Sequence, residues 1–411
     1  MHLNTNSATV ATTATAAHAH RITAIIGLLI LSLALRPGIV SIGPILLQIQ
    51  NEFALSYTKS SLLIAIPDIC MGVFALFVPR IARTLGSDRA VITALVLLAA
   101  ATLLRGLSGS VTALLLTTLF VGIGIAVSGS LVGGWIKTHF PREASFFMGI
   151  YAAGLSVGAS AAAVLTDVVA RINQDWRWAA AMWSLLCVTA ILSWRTLIKK
   201  FPSTDENKST KSQATAIALP FRIGKAWLIA LYFGISQFMV YACFAWIAPS
   251  SIEMNIRHIS AGVLLALFTL TFAIASFAAG YIARHSTDRR GWLLFAMLLT
   301  AVGFAGLSLW PTSYAMADII LIAIGQGICF PLVMTLPLDN TVSSSDANLW
   351  TVFMLFIGYL IAALGPVSFG LLRDHTDGYG ASYGLLTAAS MLLLVMTPAL
   401  KPNIRTTATV A

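Results

Sequence analysis

Charge is scarce in this 411-residue chain. Asp, Glu, Lys and Arg make up 10% of it and hydrophobic residues 58%, whereas soluble domains carry roughly 25% charged residues. A water-soluble core cannot hide so much apolar surface, so lipid must solvate much of the chain. Cysteine is also sparse. Cys70, Cys187, Cys243 and Cys329 all lie in apolar runs, and no C-x-x-C occurs. Neither a zinc site nor a disulfide framework is indicated, and the four read as small packing residues. There is no G-x-x-x-x-G-K-[ST] loop, no H-E-x-x-H and no G-x-S-x-G elbow, and the seven histidines do not cluster at metal spacing. Those absences argue against nucleotide hydrolysis, metal catalysis and serine hydrolase chemistry. An enzyme is therefore not expected, and neither is a cofactor or a metal. A receptor would bring a soluble signalling domain, for which neither tail is long enough.

Long apolar runs are what the chain has instead. A spanning helix needs roughly 20 apolar residues. Twelve such runs stand near 22–48, 60–82, 89–106, 112–137, 143–169, 177–198, 224–249, 259–283, 291–310, 315–337, 347–372 and 380–399. They are called spans 1 to 12. Residues 1–20 lack Lys and Arg and read as a disordered tail. The first apolar run is too long for a signal-peptide core and is expected to stay as a helix. Residues 200–222 form a polar linker between spans 6 and 7. The expected organisation is a 1–20 tail, a 21–199 six-helix bundle, the 200–222 linker, a 223–400 six-helix bundle and a 401–411 tail.

The net charge of +10 resides at span ends, where the positive-inside bias accounts for it, so nucleic acid is not an expected partner. With the N-terminus inside, eighteen Lys and Arg fall on the cytoplasmic side and six outside, and Arg36 lies within a span. That bias predicts cytoplasmic termini. The expected setting is a bacterial inner membrane, with the lipid bilayer as partner and the protein as a monomer.

The two halves of the chain repeat. Ile81-Ala82-Arg83 recurs as Ile282-Ala283-Arg284, and Ile123-Gly124 as Ile324-Gly325, both at an offset of 201, while Asp88-Arg89 recurs as Asp288-Arg289 at 200. A recurring offset points to duplicated six-helix units. Parallel repeats of this kind resemble the major facilitator superfamily, as do the basic loops, which follow its G-x-x-x-D-R-x-G-R signature in degraded form. Three further segments resemble the cyanate permease and 2-nitroimidazole transporter family. They are Leu35-Arg36-Pro37 with Gly43-Pro44, Gly325-Gln326-Gly327 followed by Phe330-Pro331-Leu332, and Asp175-Trp176-Arg177-Trp178. Gly38 stands where that family usually has Ala.

Arg36 is the most informative residue. It falls near the middle of span 1, where an arginine costs about 2.5–3.5 kcal/mol on insertion scales. It must face protein or a water-filled cavity. It serves either as a fixed positive charge for an anionic or dipolar solute or as an ion-pair partner of Asp68. Pro37 removes a backbone donor beside it and predicts a kink. The offset maps Arg36 onto Gln237 and Ile125 onto Gln326, and Tyr241 shares a face with Gln237. The resemblance implies that spans 1, 4, 7 and 10 line a central cavity, which makes Arg36, Gln237, Tyr241, Gln326 and Trp246 substrate-site candidates. Interhelical bonding is the alternative for the amides, and interface anchoring is the default for Trp135, Trp246, Trp310 and Trp350. Asp68 is a proton-coupling candidate. Asp167 with Arg171 and Asp374 with Arg373 read as surface ion pairs, and Asp318 as a charge at a helix N-terminus. Pro37, Gly154, Gly158, Asp88, Arg89, Asp288 and Arg289 are candidates for gating.

The expected fold is an all-α membrane protein of twelve helices in two pseudo-symmetric bundles. The expected function is secondary transport of a small polar or anionic solute by alternating access, in symport or antiport. The resemblance implies a cyanate-like or nitroimidazole-like substrate, with protons as a candidate coupling ion. The alternative is a proton-coupled drug or metabolite exporter.

Overall fold

The computed structural model describes residues 5–201, 219–256, 259–282 and 288–401. Most of the 200–222 linker and of the 401–411 tail therefore lies outside the described residues. Among those described there is no strand, and twelve helices are long and apolar enough to cross a membrane. They are span 1 (His20–Phe53), span 2 (Tyr57–Leu85), span 3 (Ser87–Gly106), span 4 (Val111–His139), span 5 (Ala144–Asn173) and span 6 (Trp176–Lys200). The second set is span 7 (Gly224–Glu253), span 8 (Ala261–Tyr281), span 9 (Arg290–Leu309), span 10 (Ala315–Asp339), span 11 (Ser345–His375) and span 12 (Gly380–Leu400). The helix leading into span 1 begins at Thr5, inside the stretch expected as a disordered tail. That stretch is rich in alanine and has no Gly or Pro before Gly27, so nothing in it stops a helix.

Local chemistry sets the helix ends. Ser56, Ser110 and Ser343 accept the N–H of Lys59, Ala113 and Asp346 and so cap spans 2, 4 and 11. Gly86, at φ +80°, makes the turn between spans 2 and 3, a conformation that favours glycine. At the mouth of span 6, Asp175 accepts the Arg177 N–H. Arg177 then forks onto the Glu52 carboxylate at 2.7 and 2.6 Å, joined by Trp176 Nε1 at 2.6 Å. The Asp-Trp-Arg-Trp segment thus ties span 6 to the end of span 1.

Packing repeats with a shift of six spans. Spans 1 and 5 pair as do 7 and 11, spans 2 and 4 as do 8 and 10, and spans 3 and 6 as do 9 and 12. The bundles meet where span 2 packs on span 11, span 5 on span 8 and span 1 on span 7. Glycines permit this approach: a Cβ at Gly43 would stand 2.5 Å from the Phe244 carbonyl oxygen. The end of the molecule carrying the turns after spans 1, 7 and 11 is called here the far end, and the opposite one the linker end.

Candidate functional site

Span 1 is not one continuous helix. The first segment stops at Leu35, Arg36 stands at the junction, a single turn runs Pro37–Val40, and the helix resumes at Ile42. Pro37 has no N–H for the carbonyl of Leu33. Gly158 of span 5 sits against that carbonyl, where a Cβ would come within 2.5 Å of the oxygen. Gly154, a turn earlier, packs on the Ser32 hydroxyl. Behind the break, Arg105 of span 3 donates from Nη1 to the Gly38 carbonyl at 2.9 Å and from Nη2 to Thr118 Oγ1 at 3.3 Å. Arg105 is one of the six basic residues counted on the outer side, yet it is 1% exposed, because its side chain folds back against a carbonyl of the broken helix.

Around the break, groups from both bundles converge. Arg36 is partly buried with the hydroxyl of Tyr241 beside it, and it is within electrostatic reach of Tyr151, Tyr359 and Asp68. Tyr241 is fully buried, its hydroxyl directed at Met71 Sδ at 4.0 Å and its ring 6.2 Å from that of Tyr359. Asp68 is 0% exposed, and neither carboxylate oxygen has a hydrogen-bond partner among the described residues. No contact within 4.0 Å joins Asp68 to Arg36. Among the described residues the cation therefore has a phenol beside it and no ion pair, and the carboxyl nearby has no hydrogen-bond partner. Arg36, Asp68 and Tyr151 belong to the first bundle, Tyr241 and Tyr359 to the second.

The other expected members are disposed differently. Gln237 is buried with its Oε1 unpartnered, one turn from Tyr241 on the same face. Gln326 is occupied elsewhere: its Oε1 accepts the Ser236 hydroxyl at 2.9 Å and its Nε2 lies 3.8 Å from Met239 Sδ. These contacts join spans 7 and 10 inside one bundle. Trp246 is buried, donates to the Pro366 carbonyl at 3.0 Å and stacks on Phe369, so its indole N–H is committed to span 11. Trp135, expected at the interface, is buried as well. Arg289 pairs with Asp339 at 2.6 Å and Asp288 with Arg290 at 2.7 Å, both within the second bundle. The Arg290 guanidinium holds the exposed Asp288 carboxyl below the usual carboxylate range. Asp88 lies in the first turn of span 3, followed by Arg89. Sequence reasoning missed Tyr151, Tyr359 and Arg105.

At the far end the bundles are latched. The Asp374 carboxylate accepts the backbone N–H groups of Tyr57 and Thr58 at 2.8 and 2.9 Å, so an acid from span 11 caps span 2. Tyr57 donates its hydroxyl to Glu253 at 2.8 Å, and Arg373 pairs with Glu253 at 3.0 Å while lying over the Tyr57 ring. Asp374 is thus an inter-bundle cap and not a surface partner of Arg373. Asp167 does pair with Arg171, and it also accepts the Gly262 N–H from span 8 at 3.2 Å. Ser160 and Thr269 share a buried bond of 2.7 Å, and Ser61 donates to the Pro366 carbonyl at 2.8 Å. Toward the linker end, a side chain at Gly133, Gly134 or Gly149 would meet nothing within 4 Å.

Comparison with known proteins agrees with this architecture. The sequence profile of the Major Facilitator Superfamily matches residues 22–366. The cyanate transport protein CynX of Escherichia coli (strain K12) is 29% identical over 370 residues, covering 90% of this chain and 95% of the relative. The 2-nitroimidazole transporter of the same strain is 27% identical over 378 residues, covering 92% and 94%. Among solved structures, a bacterial homolog of the human lysosomal transporter Spinster superposes with a TM-score of 0.70 at 18% identity, covering 93% of this chain and 96% of that one. The nucleoside transporter NupG, as its D323A mutant, gives 0.71 at 12% identity, covering 92% and 100%.

Proposed function

Because this chain belongs to the Major Facilitator Superfamily, a family of membrane transporters and not of enzymes, we propose that it carries a small polar or anionic solute of the cyanate or nitroimidazole kind across a bacterial inner membrane. The observation that carries this reading is the state of Arg36. Its guanidinium stands at the break of span 1 beside the Tyr241 phenol of the other bundle, and among the described residues no ion pair within 4.0 Å joins it to a carboxylate. A phenol oxygen is a weak partner for a guanidinium. A solute carboxylate, cyanate or nitro oxygen gives a stronger, charge-assisted bond and would replace it. The names of the two relatives support that solute class.

Alternating access follows from the site's composition. Its groups come from both bundles, so a solute seated among them bridges the two and is released when they rock apart. The far-end latch supports a resting form that is closed at that end and opens at the linker end. The basic bias assigns that end to the cytoplasm. Asp68, buried without a partner, supplies a carboxyl that can carry a proton alongside an anion. The test is uptake into liposomes holding the purified protein. Labelled cyanate should accumulate under an inward proton gradient and compete with 2-nitroimidazole. If no small anion or azole moves, the solute class is wrong.

A further inference from the structure

We propose that Tyr359 of span 11 and Tyr151 of span 5 determine the specificity of the solute site, each donating its hydroxyl to a small anion that offers at least two acceptor atoms. The proposal rests on the reading of Arg36 as the anchor of that site and adds what discriminates among anions. The first argument is placement. Tyr359 projects from the second bundle and Tyr151 from the first, and each is within electrostatic reach of Arg36 and of the other. With the Tyr359 ring 6.2 Å from that of Tyr241 beside Arg36, an anion on Arg36 has a phenol of each bundle in its neighbourhood.

The second argument is rigidity. Behind Tyr359, a Cβ built on Gly72 of span 2 would lie 3.2 Å from the Tyr359 Cβ. The Tyr359 ring stands edge-on to Phe233 at 5.7 Å and to Tyr241 at 6.2 Å. Such packing fixes the ring and leaves only the O–H rotor free. Tyr151 is 9% exposed, with its hydroxyl 3.5 Å from where a Cβ on Gly129 of span 4 would sit. Glycine at 129 keeps the space beside that hydroxyl clear. A group positioned this tightly loses little freedom when it bonds a solute.

The third argument is the balance of donors and acceptors. One guanidinium and three phenols face a single carboxyl, that of Asp68, whose oxygens are both unpartnered. This surplus of donors suits a solute made mostly of acceptors, with lone pairs pointing in different directions. A cyanate ion, with a nitrogen at one end and an oxygen at the other, meets that demand. A chloride ion has no separate ends and can rest on Arg36 alone. A cation is repelled by Arg36.

The experiment measures binding of cyanate, thiocyanate and chloride by calorimetry to the purified full-length protein, to Tyr359→Phe, to Tyr151→Phe and to Arg36→Lys. Removing one hydroxyl removes one bond to a charged group and should weaken cyanate about tenfold or more. Chloride affinity should stay within about twofold, so cyanate-over-chloride selectivity falls by the same factor. Each phenylalanine keeps the ring, and the two variants sit in different bundles, so either one alone carries the test if the other misfolds. If both bind cyanate as the unmodified protein does while Arg36→Lys weakens it, the tyrosines do not set specificity and the anchor reading stands. If the unmodified protein binds none of the three anions, the tyrosine proposal and the anchor reading fall together.

Discussion

Replacing Arg36 tests the proposed site most directly, because a binding role and a folding role for it lead to different outcomes. Arg36 has the Tyr241 phenol beside it, so an incoming anion exchanges that neighbour and adds about one charge-assisted bond, or roughly 1.5–3 kcal/mol. Arg36→Ala should therefore weaken anion binding roughly 10- to 140-fold at about 1.4 kcal/mol per decade. Folding should survive. A mid-span arginine costs about 2.5–3.5 kcal/mol to insert, and its removal relieves that cost. Tyr241 keeps Met71 and Tyr359 as neighbours. Arg36→Lys should fall between, since lysine keeps the charge and loses the planar fork. The assay is calorimetry on variants that elute as single species in detergent. Anion affinity within about threefold of the unmodified protein in a well-folded Arg36→Ala would refute the anchor. Loss of expression in both variants, restored by adding Asp68→Asn, would refute it differently and make the pair structural.

Asp68→Asn should abolish uptake driven by a proton gradient while leaving solute exchange, as measured in liposomes with and without the gradient. Intact gradient-driven uptake would leave Asp68 without a coupling role. Asp374→Asn removes the charge that caps span 2 and should shift the bundles toward opening at the far end by about 0.3–1 kcal/mol, read as faster labelling of a far-end cysteine. Unchanged labelling would show that Asp374 does not latch the bundles. Arg105→Met should weaken anion binding with Arg36 intact, because nothing then holds the Gly38 carbonyl at the break. Arg105→Lys should recover part of the loss, and normal affinity in Arg105→Met would dismiss a positioning role. Cysteines at Asn6 and Thr407 should resist an impermeant thiol reagent in intact cells, and labelling of both would reverse the orientation.

The spans were legible because lipid imposes a length. About 20 apolar residues between charged borders is a pattern no soluble helix needs, and every expected span has a counterpart within a few residues. The break in span 1 was legible because Pro37 cannot donate, and the repeat put Gln237 at the depth of Arg36 with Tyr241 one turn on, whereas the partner expected for Arg36 was Asp68. Depth, however, is not face. The same offset gave Gln326 a suitable depth, yet packing turns it toward Ser236. The offset pairs Tyr359 with Gly158, a residue of opposite chemistry, so symmetry could not find that phenol. Asp374 was misread from its neighbour. Adjacent residues on a helix point in different directions, and so Arg373 reaches Glu253 while Asp374 reaches span 2.

The latch and the site are built on the same three helices. Span 2 carries Thr58 and Asp68, span 7 carries Glu253 and Tyr241, and span 11 carries Asp374 and Tyr359. At 1.5 Å per residue, each latch residue stands about 15–22 Å along its helix from the matching site residue. Each of these segments is helical throughout, although Pro67, Pro249 and Pro366 each remove one backbone donor from it, and to the extent that a segment turns as one piece, opening the far end turns Asp68, Tyr241 and Tyr359 relative to Arg36. A solute that draws both bundles onto Arg36 must then change how readily the latch breaks. Linkage makes this reciprocal: whatever factor the solute applies to opening, opening applies to solute affinity. Asp374→Asn touches no proposed solute contact, yet it should change anion affinity, by no more than the factor by which the anion changes the opening equilibrium. A variant that shifts labelling while leaving affinity unmoved would mean that latch and site work independently.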